Sequence, residues 1–186
     1  MWHGLITKKS IYITFDDGPH PTITPWVLDQ LDKYGFKAVF FCIGANVRKY
    51  QKQYLEILAR GHQTGNHTLD HLSGFKSKNQ HYFNNIQRCS ELVKSELFRP
   101  PHGHLKPSQV SYLKKKYRII MWSLLAEDWN PNLDCKLKEE KLISSTKPGD
   151  IVVFHDSEKA QKNLEILLPN YLKYLSEAKY ESALFD

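Results

Sequence analysis

The chain has 186 residues, of which 41% are hydrophobic and 25% charged, and its formal net charge is +6. This balance is typical of a globular protein and excludes collagen-like, low-complexity and largely disordered chains. No window contains 18 consecutive apolar residues, so we expect no membrane span. The length predicts one domain over residues 1–186. We expect this domain to be a monomer.

The positive charge permits binding to nucleic acid, but Lys and Arg are spread along the chain and no recognition motif accompanies them. We therefore expect no nucleic-acid partner. The three cysteines lie far apart without a CxxC motif, which indicates neither a disulfide framework nor a cysteine zinc site. Residues 1–10 lack an apolar stretch long enough for a secretory signal, so export would need a leader that they do not supply. The compartment is left open.

Short apolar runs alternate with amphipathic segments along the chain. The runs predict strands over 11–15, 38–43, 63–66, 97–99, 119–123, 151–155 and, with a weaker pattern, 180–184. The amphipathic segments predict helices over 24–35, 51–60, 82–97, 107–116, 136–146 and 158–178. This alternation favours a parallel sheet covered by helices. Periodicity leaves open whether the sheet is doubly wound or closed into a barrel, but in both folds the chemistry lies at the carboxyl ends of the strands.

Three polar clusters follow predicted strands. Asp16 and Asp17 end the first strand, His67 and His71 follow the third, and His155 ends a later apolar run. Adjacent carboxylates repel unless a cation or proton separates them, and two histidines four residues apart can bind one metal if their segment is helical. Each cluster alone also fits an interpretation without a functional role: a turn, a chance pair of histidines, or a hydrogen-bonded histidine at the end of a strand. Together they predict a site for metal-assisted hydrolysis, with Asp16 or Asp17 as the carboxylate ligand.

These clusters belong to five motifs in which the chain resembles the polysaccharide deacetylases of carbohydrate esterase family 4, the NodB-homology domain. In the family's order, the motifs are 14–19 (TFDDGP), 67–71 (HTLDH), 99–103 (RPPHG), 122–129 (WSLLAEDW) and 151–155 (IVVFH). The resemblance implies an α/β fold, a deformed (β/α)7 barrel of TIM-barrel type with parallel strands and outer helices.

The resemblance also implies roles for individual residues. One divalent metal ion, expected to be zinc with cobalt or nickel as alternatives, would be held by Asp17, His67 and His71. The catalytic residues would be Asp16, Arg99 and His155. In these roles Asp16 is the general base, Arg99 orients Asp16 and keeps it ionised, and His155 is the general acid that protonates the departing amine.

Substrate contacts are expected from Pro101, His102, Asp128 and Trp129. His102 stands where the family has Tyr or Phe, so we expect it to line the groove or act through its backbone amide, with a fourth metal ligand as the alternative. Leu125 stands where many members have an Asp beside the catalytic histidine. We expect Asp128 to take over as partner of His155, with Ser123 as the alternative, and Trp129 to form an apolar wall beside the acetyl methyl group.

The function that the resemblance implies is a metal-dependent hydrolase. It would remove N-acetyl groups from GlcNAc-type residues of a chitin-like or peptidoglycan-like glycan and release acetate. Two alternatives stay open. The same residues could hydrolyse O-acetyl esters, as in acetylxylan, or the chain could be a metal-containing carbohydrate-binding protein with little turnover, an alternative that Leu125 keeps open.

Overall fold

Strands and helices alternate through the residues that the structure, a computed structural model, describes, which are 1–4 and 9–185. The strands are β1 (Ser10–Asp16), β2 (Ala38–Cys42), β3 (Gln63–Asn66), β4 (Leu97–Phe98), β5 (Arg118–Ile119), β6 (Leu124–Leu125), β7 (Ile151–His155) and β8 (Glu181–Ser182). The helices are α1 (Ile23–Tyr34), α2 (Gly44–Lys49), α3 (Gln51–Ala59), α4 (Asn79–Ser90), α5 (Pro107–Leu113), α6 (Cys135–Ser145) and α7 (Gln161–Glu177), with a short 3₁₀ turn at Pro101–Gly103.

The strands form one parallel sheet in the order β5-β4-β3-β2-β1-β7-β6, with β8 beside the amino end of β1. Within the described residues no ladder joins β5 to β6, so the curled sheet is open between them. The expected deformed seven-stranded barrel is confirmed. The strand predicted at 180–184 is the short β8, which lies outside the seven-strand path.

The alternation along β1 explains why this strand carries both core and site residues. Ile13 and Phe15 point to one face and pack in a cluster that includes Leu28 of α1 and Leu168 of α7. Because side chains alternate across a strand, Asp16 points to the opposite face, inside the curl of the sheet. The apolar positions therefore attach β1 to the helices and direct Asp16 inward.

Helices α1 and α7 cover the outer face of the sheet. α1 ends at Gly35, whose φ of 69° is the left-handed conformation predicted for a helix-terminating glycine. α7 contains 17 residues and is amphipathic, with a buried face that includes Leu164, Leu168 and Leu172. No helix among the described residues is long and apolar enough to cross a membrane.

Two predicted elements are wrong in extent. The segment 119–123 is not one strand, because two of its backbone carbonyls accept hydrogen bonds from a side chain instead of from a neighbouring strand. Arg99 Nε donates to Ile120 O, and Arg99 Nη2 donates to Met121 O. The short strands β5 and β6 therefore flank this segment. The helix predicted over 82–97 is α4, which ends at Ser90, and Leu97 belongs to β4. Neither α2 nor β6 was predicted.

Candidate active site

The strand register gathers the chemistry-bearing residues at the carboxyl edge of the sheet. Asp16 of β1 is paired with His155 of β7, and Asn66 of β3 is paired with Phe98 of β4. His67 and Arg99, which follow these last two residues, therefore lie at the same edge. A cavity of about 540 Å³ opens there, and its lining includes Asp16, Asp17, His67, His71, His102, Trp129 and His155.

Three of these side chains converge as a possible metal site. Asp17 Oδ1 lies 3.6 Å from His67 Nε2 and 3.2 Å from His71 Nε2. One ligand atom from each residue lies within 4.8 Å of the other two. His67 Nδ1 is 2.8 Å from the backbone oxygen of Arg99, and since a carbonyl oxygen only accepts, Nδ1 carries the proton and Nε2 keeps its lone pair for a ligand.

The protonation of these groups fits a divalent cation. Burial lowers the pKa of His67 to about 4, so its imidazole is neutral at physiological pH, the form that binds metals. Asp17 Oδ1 is buried and has no hydrogen-bond partner among the described residues, although it faces two imidazole nitrogens. An ion would satisfy this oxygen, and two imidazoles with one carboxylate form an open ligand set with room for water or substrate. The residues present therefore fit a metal ion.

The two histidines converge for a different reason from the one predicted. Residues 67–71 form a loop rather than a helix, with left-handed backbone at Thr68 (φ 66°) and His71 (φ 52°). Asn85 of α4 supports this loop, because its Oδ1 accepts the N–H of Leu69 at 2.8 Å and its Nδ2 donates to a carboxylate oxygen of Asp70 at 2.7 Å. The expectation that the two histidines converge only if their segment is helical is wrong. Both imidazoles face the Asp17 carboxylate from a loop.

Asp16 is held by a buried arginine. Arg99 is 0% exposed, and its Nη1 donates to Asp16 Oδ1 at 2.7 Å and to Thr14 Oγ1 at 2.7 Å. The guanidinium carbon also lies 4.1 Å from the ring centroid of Phe41. Burial would raise the pKa of Asp16, but the charge of Arg99, with those of His67 and His155, lowers it below its ordinary value. Asp16 is therefore ionised and fixed in orientation.

His155 has a carboxylate partner from the segment that contains Leu125. His155 Nδ1 donates to Asp128 Oδ1 at 2.7 Å, and the backbone N–H of His155 donates to Asp128 Oδ2 at 2.8 Å. Burial would lower the pKa of His155, but the hydrogen bond and charge of Asp128, with Asp16 and Asp17, raise it to about 9. Ser123, the alternative partner, instead donates to a carboxylate oxygen of Asp150 at 2.7 Å.

Asp128 and Pro101 do not reach the groove surface. Asp128 is 0% exposed and lies behind His155, so the predicted substrate contact is replaced by the contact with the imidazole. Pro101 is buried where it begins the 3₁₀ turn. These two placements correct the set of substrate-contacting residues predicted from the sequence.

His102 and Trp129 do line the groove. His102 has φ 60°, and its ring centroid lies 4.7 Å from that of His71, although His102 is not among the three converging ligands. Trp129 is 38% exposed, with Lys159 Nζ 5.1 Å from its ring centroid. Leu125, Val153 and Lys159 also line the cavity, and this placement was not predicted from the sequence. The position of Val153 could have been predicted, because its side chain alternates with that of Phe154 on a strand that ends at the site.

The carboxylates and imidazoles lie at the carboxyl ends of parallel strands, where enzymes of this architecture place their active sites. The family model for polysaccharide deacetylase matches residues 4–118. The chain belongs to the polysaccharide deacetylase family, which confirms the resemblance seen in its motifs. The expected enzyme class, a carbohydrate deacetylase, is confirmed with it.

Individual relatives agree with this assignment. A peptidoglycan-N-acetylglucosamine deacetylase of Bacillus cereus is 34% identical over 188 residues, covering 96% of this chain and 87% of the relative. A chitooligosaccharide deacetylase of Azorhizobium caulinodans is 33% identical, covering 80% and 74%. The crystal structure of the peptidoglycan N-acetylglucosamine deacetylase Bc1960 matches with a TM-score of 0.89 at 25% identity, covering 98% of this chain and 88% of that one. Other relatives are longer: the chain spans 58% and 39% of two of them.

Proposed function

We propose that the chain is a metal-dependent hydrolase that removes N-acetyl groups from GlcNAc-type residues of a polysaccharide or oligosaccharide and releases acetate. The observation that carries this proposal is the buried, unpartnered Asp17 Oδ1, which faces two imidazole nitrogens beside an ionised Asp16. The named substrates of the relatives from Bacillus cereus and Azorhizobium caulinodans carry N-acetylglucosamine units, which supports an amide rather than an ester.

The metal ion would be held by Asp17, His67 and His71. We propose zinc, since an open set of two imidazoles and one carboxylate suits this ion, with cobalt and nickel as alternatives. When bound, the ion polarises the acetyl carbonyl and lowers the pKa of water toward neutrality.

The remaining chemistry is proton transfer by residues of the chain. Asp16, ionised and oriented by Arg99, accepts the proton of the attacking water. His155 donates a proton to the departing amine, which is a poor leaving group without it. Asp128 keeps His155 charged up to a pH of about 9, so the acid is available at neutral pH. Trp129 and Leu125 offer apolar surface to the acetyl methyl group.

Acetate release from a panel of glycans tests this function. We expect release from N-acetylated chitooligosaccharides or peptidoglycan fragments, loss of release with a chelator, and recovery when zinc is restored. Faster release from acetylated xylan would favour the O-acetyl esterase alternative. Binding of these glycans with no release at any metal supplement would overturn the proposal and favour a carbohydrate-binding protein.

The pH dependence tests the pairing of His155 with Asp128. A general acid must be protonated, so activity on the amide persists below the pKa of His155 and is lost as the pH rises through about 9. Asp128→Asn removes the largest of the charges that raise this pKa, while burial still lowers it, so we expect the alkaline limb to move to a lower pH. Initial rates of acetate release between pH 5 and 10 measure the shift.

Glu127→Gln is the matched control, because it removes a neighbouring carboxylate that pairs with Lys138 rather than with His155. We expect its alkaline limb to stay at the wild-type position, and metal content should be unchanged in both variants. An Asp128→Asn enzyme with the wild-type alkaline limb would show that Asp128 does not set the protonation of His155.

A further inference from the structure

Asp156 is a buried carboxyl group that the proposed reaction leaves without a role. It follows His155 at the end of β7 and is 1% exposed. Its side chain reaches the loop that follows β1: the backbone N–H of Gly18 donates to Asp156 Oδ1 at 3.1 Å, and the hydroxyl of Thr24 donates to Asp156 Oδ2. The backbone N–H of Asp156 donates to Asp16 O at 3.2 Å.

These bonds hold the chain on both sides of the metal ligand Asp17. The carbonyl of Asp16 precedes Asp17 and the N–H of Gly18 follows it, and both are bonded to Asp156. Thr24 Oγ1 extends the network, because it also accepts the N–H of His20 at 2.7 Å. A single buried residue therefore connects to the loop from residue 16 to residue 20.

The loop needs such support because Asp17 has a strained backbone. Its φ is 80°, a left-handed conformation that non-glycine residues rarely adopt. Gly18 lies directly against the Asp156 carboxylate, since a Cβ built on Gly18 would lie 2.1 Å from Asp156 Oδ2. On the other side, Asn46 Nδ2 donates to Asp17 O at 2.8 Å. The conformation that directs Asp17 Oδ1 toward His67 and His71 is thus enforced by its neighbours.

We propose that Asp156 is a positioning residue for the metal site: its carboxylate fixes the loop so that Asp17 presents its oxygen to the ion. This inference rests on the proposed metal site. It concerns hydrogen bonding rather than charge, and the two can be separated. In Asp156→Asn the amide oxygen can accept from Gly18, and the amide nitrogen can donate to the second lone pair of Thr24 Oγ1. In Asp156→Ala both acceptors are lost.

β7 provides a matched control at its opposite end. Asp150 precedes β7, is 4% exposed, and accepts hydrogen bonds from Ser123 Oγ and from the backbone N–H of Lys147, each at 2.7 Å. Asp150→Ala therefore also removes a buried, doubly bonded carboxylate, but far from the metal ligands. Like Asp156→Ala, this variant should be less stable to unfolding than the wild type, but it should keep the wild-type affinity for the metal.

The experiment measures zinc affinity by competition with a chromophoric chelator, together with thermal unfolding of the same samples. We expect Asp156→Ala to weaken zinc binding by about 10- to 100-fold, the range for partners that orient metal ligands. Asp156→Asn should stay within about threefold of the wild type, and Asp150→Ala should bind as the wild type does although it unfolds at a lower temperature.

The outcomes separate this inference from the function on which it rests. A wild-type chain that binds no zinc would overturn the metal site itself. Zinc binding by Asp156→Ala at wild-type affinity, or equal weakening in Asp156→Ala and Asp150→Ala, would overturn the positioning role alone. If Asp156→Ala does not fold, Thr24→Val removes two bonds of the network, the one to Asp156 Oδ2 and the one from the N–H of His20. Unchanged zinc affinity in that variant would contradict the inference.

Discussion

We expect His71→Ala to lose tightly bound metal and deacetylase turnover together. Three side chains that could bind a metal converge at the site, and the substitution leaves two. Changes to residues that orient ligands cost about 10- to 100-fold in metal affinity, and removal of a ligand should exceed that range. The side chain of His71 is 31% exposed on a loop, so its truncation should leave the fold intact. Metal content after dialysis and acetate release by the same sample measure the two losses.

His102→Ala is the control, because its ring lies 4.7 Å from that of His71 yet lies outside the converging triad. We expect this variant to keep its metal. Metal loss in His102→Ala comparable to that in His71→Ala would make His102 a fourth ligand, the alternative that the sequence left open. Stoichiometric metal and normal turnover in His71→Ala would show that the metal assignment is wrong.

The sequence predicts the sheet well where strands are long and apolar. β1, β2 and β7 are uninterrupted runs, buried on both faces, and their pattern locates them within one or two residues. Their order along the chain, alternating with helices, is sufficient to predict parallel pairing. Parallel pairing also predicts where the site lies, since polar residues at the carboxyl ends of parallel strands meet at one edge of the sheet.

Sequence patterns fail where a distant side chain decides the backbone. The carbonyls of Ile120 and Met121 are bonded to Arg99, which lies 22 residues from Met121 in the chain, and no local pattern contains that information. The loop at 67–71 is similar, because Asn85 supplies its backbone hydrogen bonds from α4. In both cases hydrogen bonds to a polar side chain take the place of those in a regular helix or strand. Only the folded structure shows which side chain makes them.

The carboxylate partner of His155 was predictable only in part. The departure at Leu125 indicated that His155 needed another carboxylate, and Asp128, near the end of the same motif, was the leading candidate. Its full burial behind the imidazole was not predictable, because burial depends on how residues 122–129 pack against β7. The place of Asp156 was also open to prediction, because an acidic side chain that is buried after an apolar strand needs a hydrogen-bond donor, and the N–H of Gly18 is one.

We expect Asp16→Asn and Asp17→Asn to separate proton transfer from metal binding. The two carboxylates are adjacent, and each substitution keeps the shape of the side chain. Asp16 Oδ1 is bonded to Arg99, whereas Asp17 Oδ1 faces the two imidazoles. Asp16→Asn should keep its metal and lose about 100- to 10,000-fold in turnover, the typical contribution of a general base. Asp17→Asn should lose metal affinity more than tenfold, because a neutral amide oxygen replaces the anionic ligand.

Metal content after dialysis and single-turnover acetate release at saturating zinc, each measured on both variants, distinguish the two roles. Excess zinc should restore much of the activity of Asp17→Asn, since its defect is in binding, and none of the activity of Asp16→Asn. Asp16→Asn will also unfold more readily, because the Arg99 guanidinium is buried and loses its counter-charge, so both assays belong below the unfolding transition. Equal metal loss in the two variants would mean that both carboxylates bind the ion. The base would then have to be another group within reach of the substrate, since His155 is protonated up to a pH of about 9 and cannot accept the proton at neutral pH.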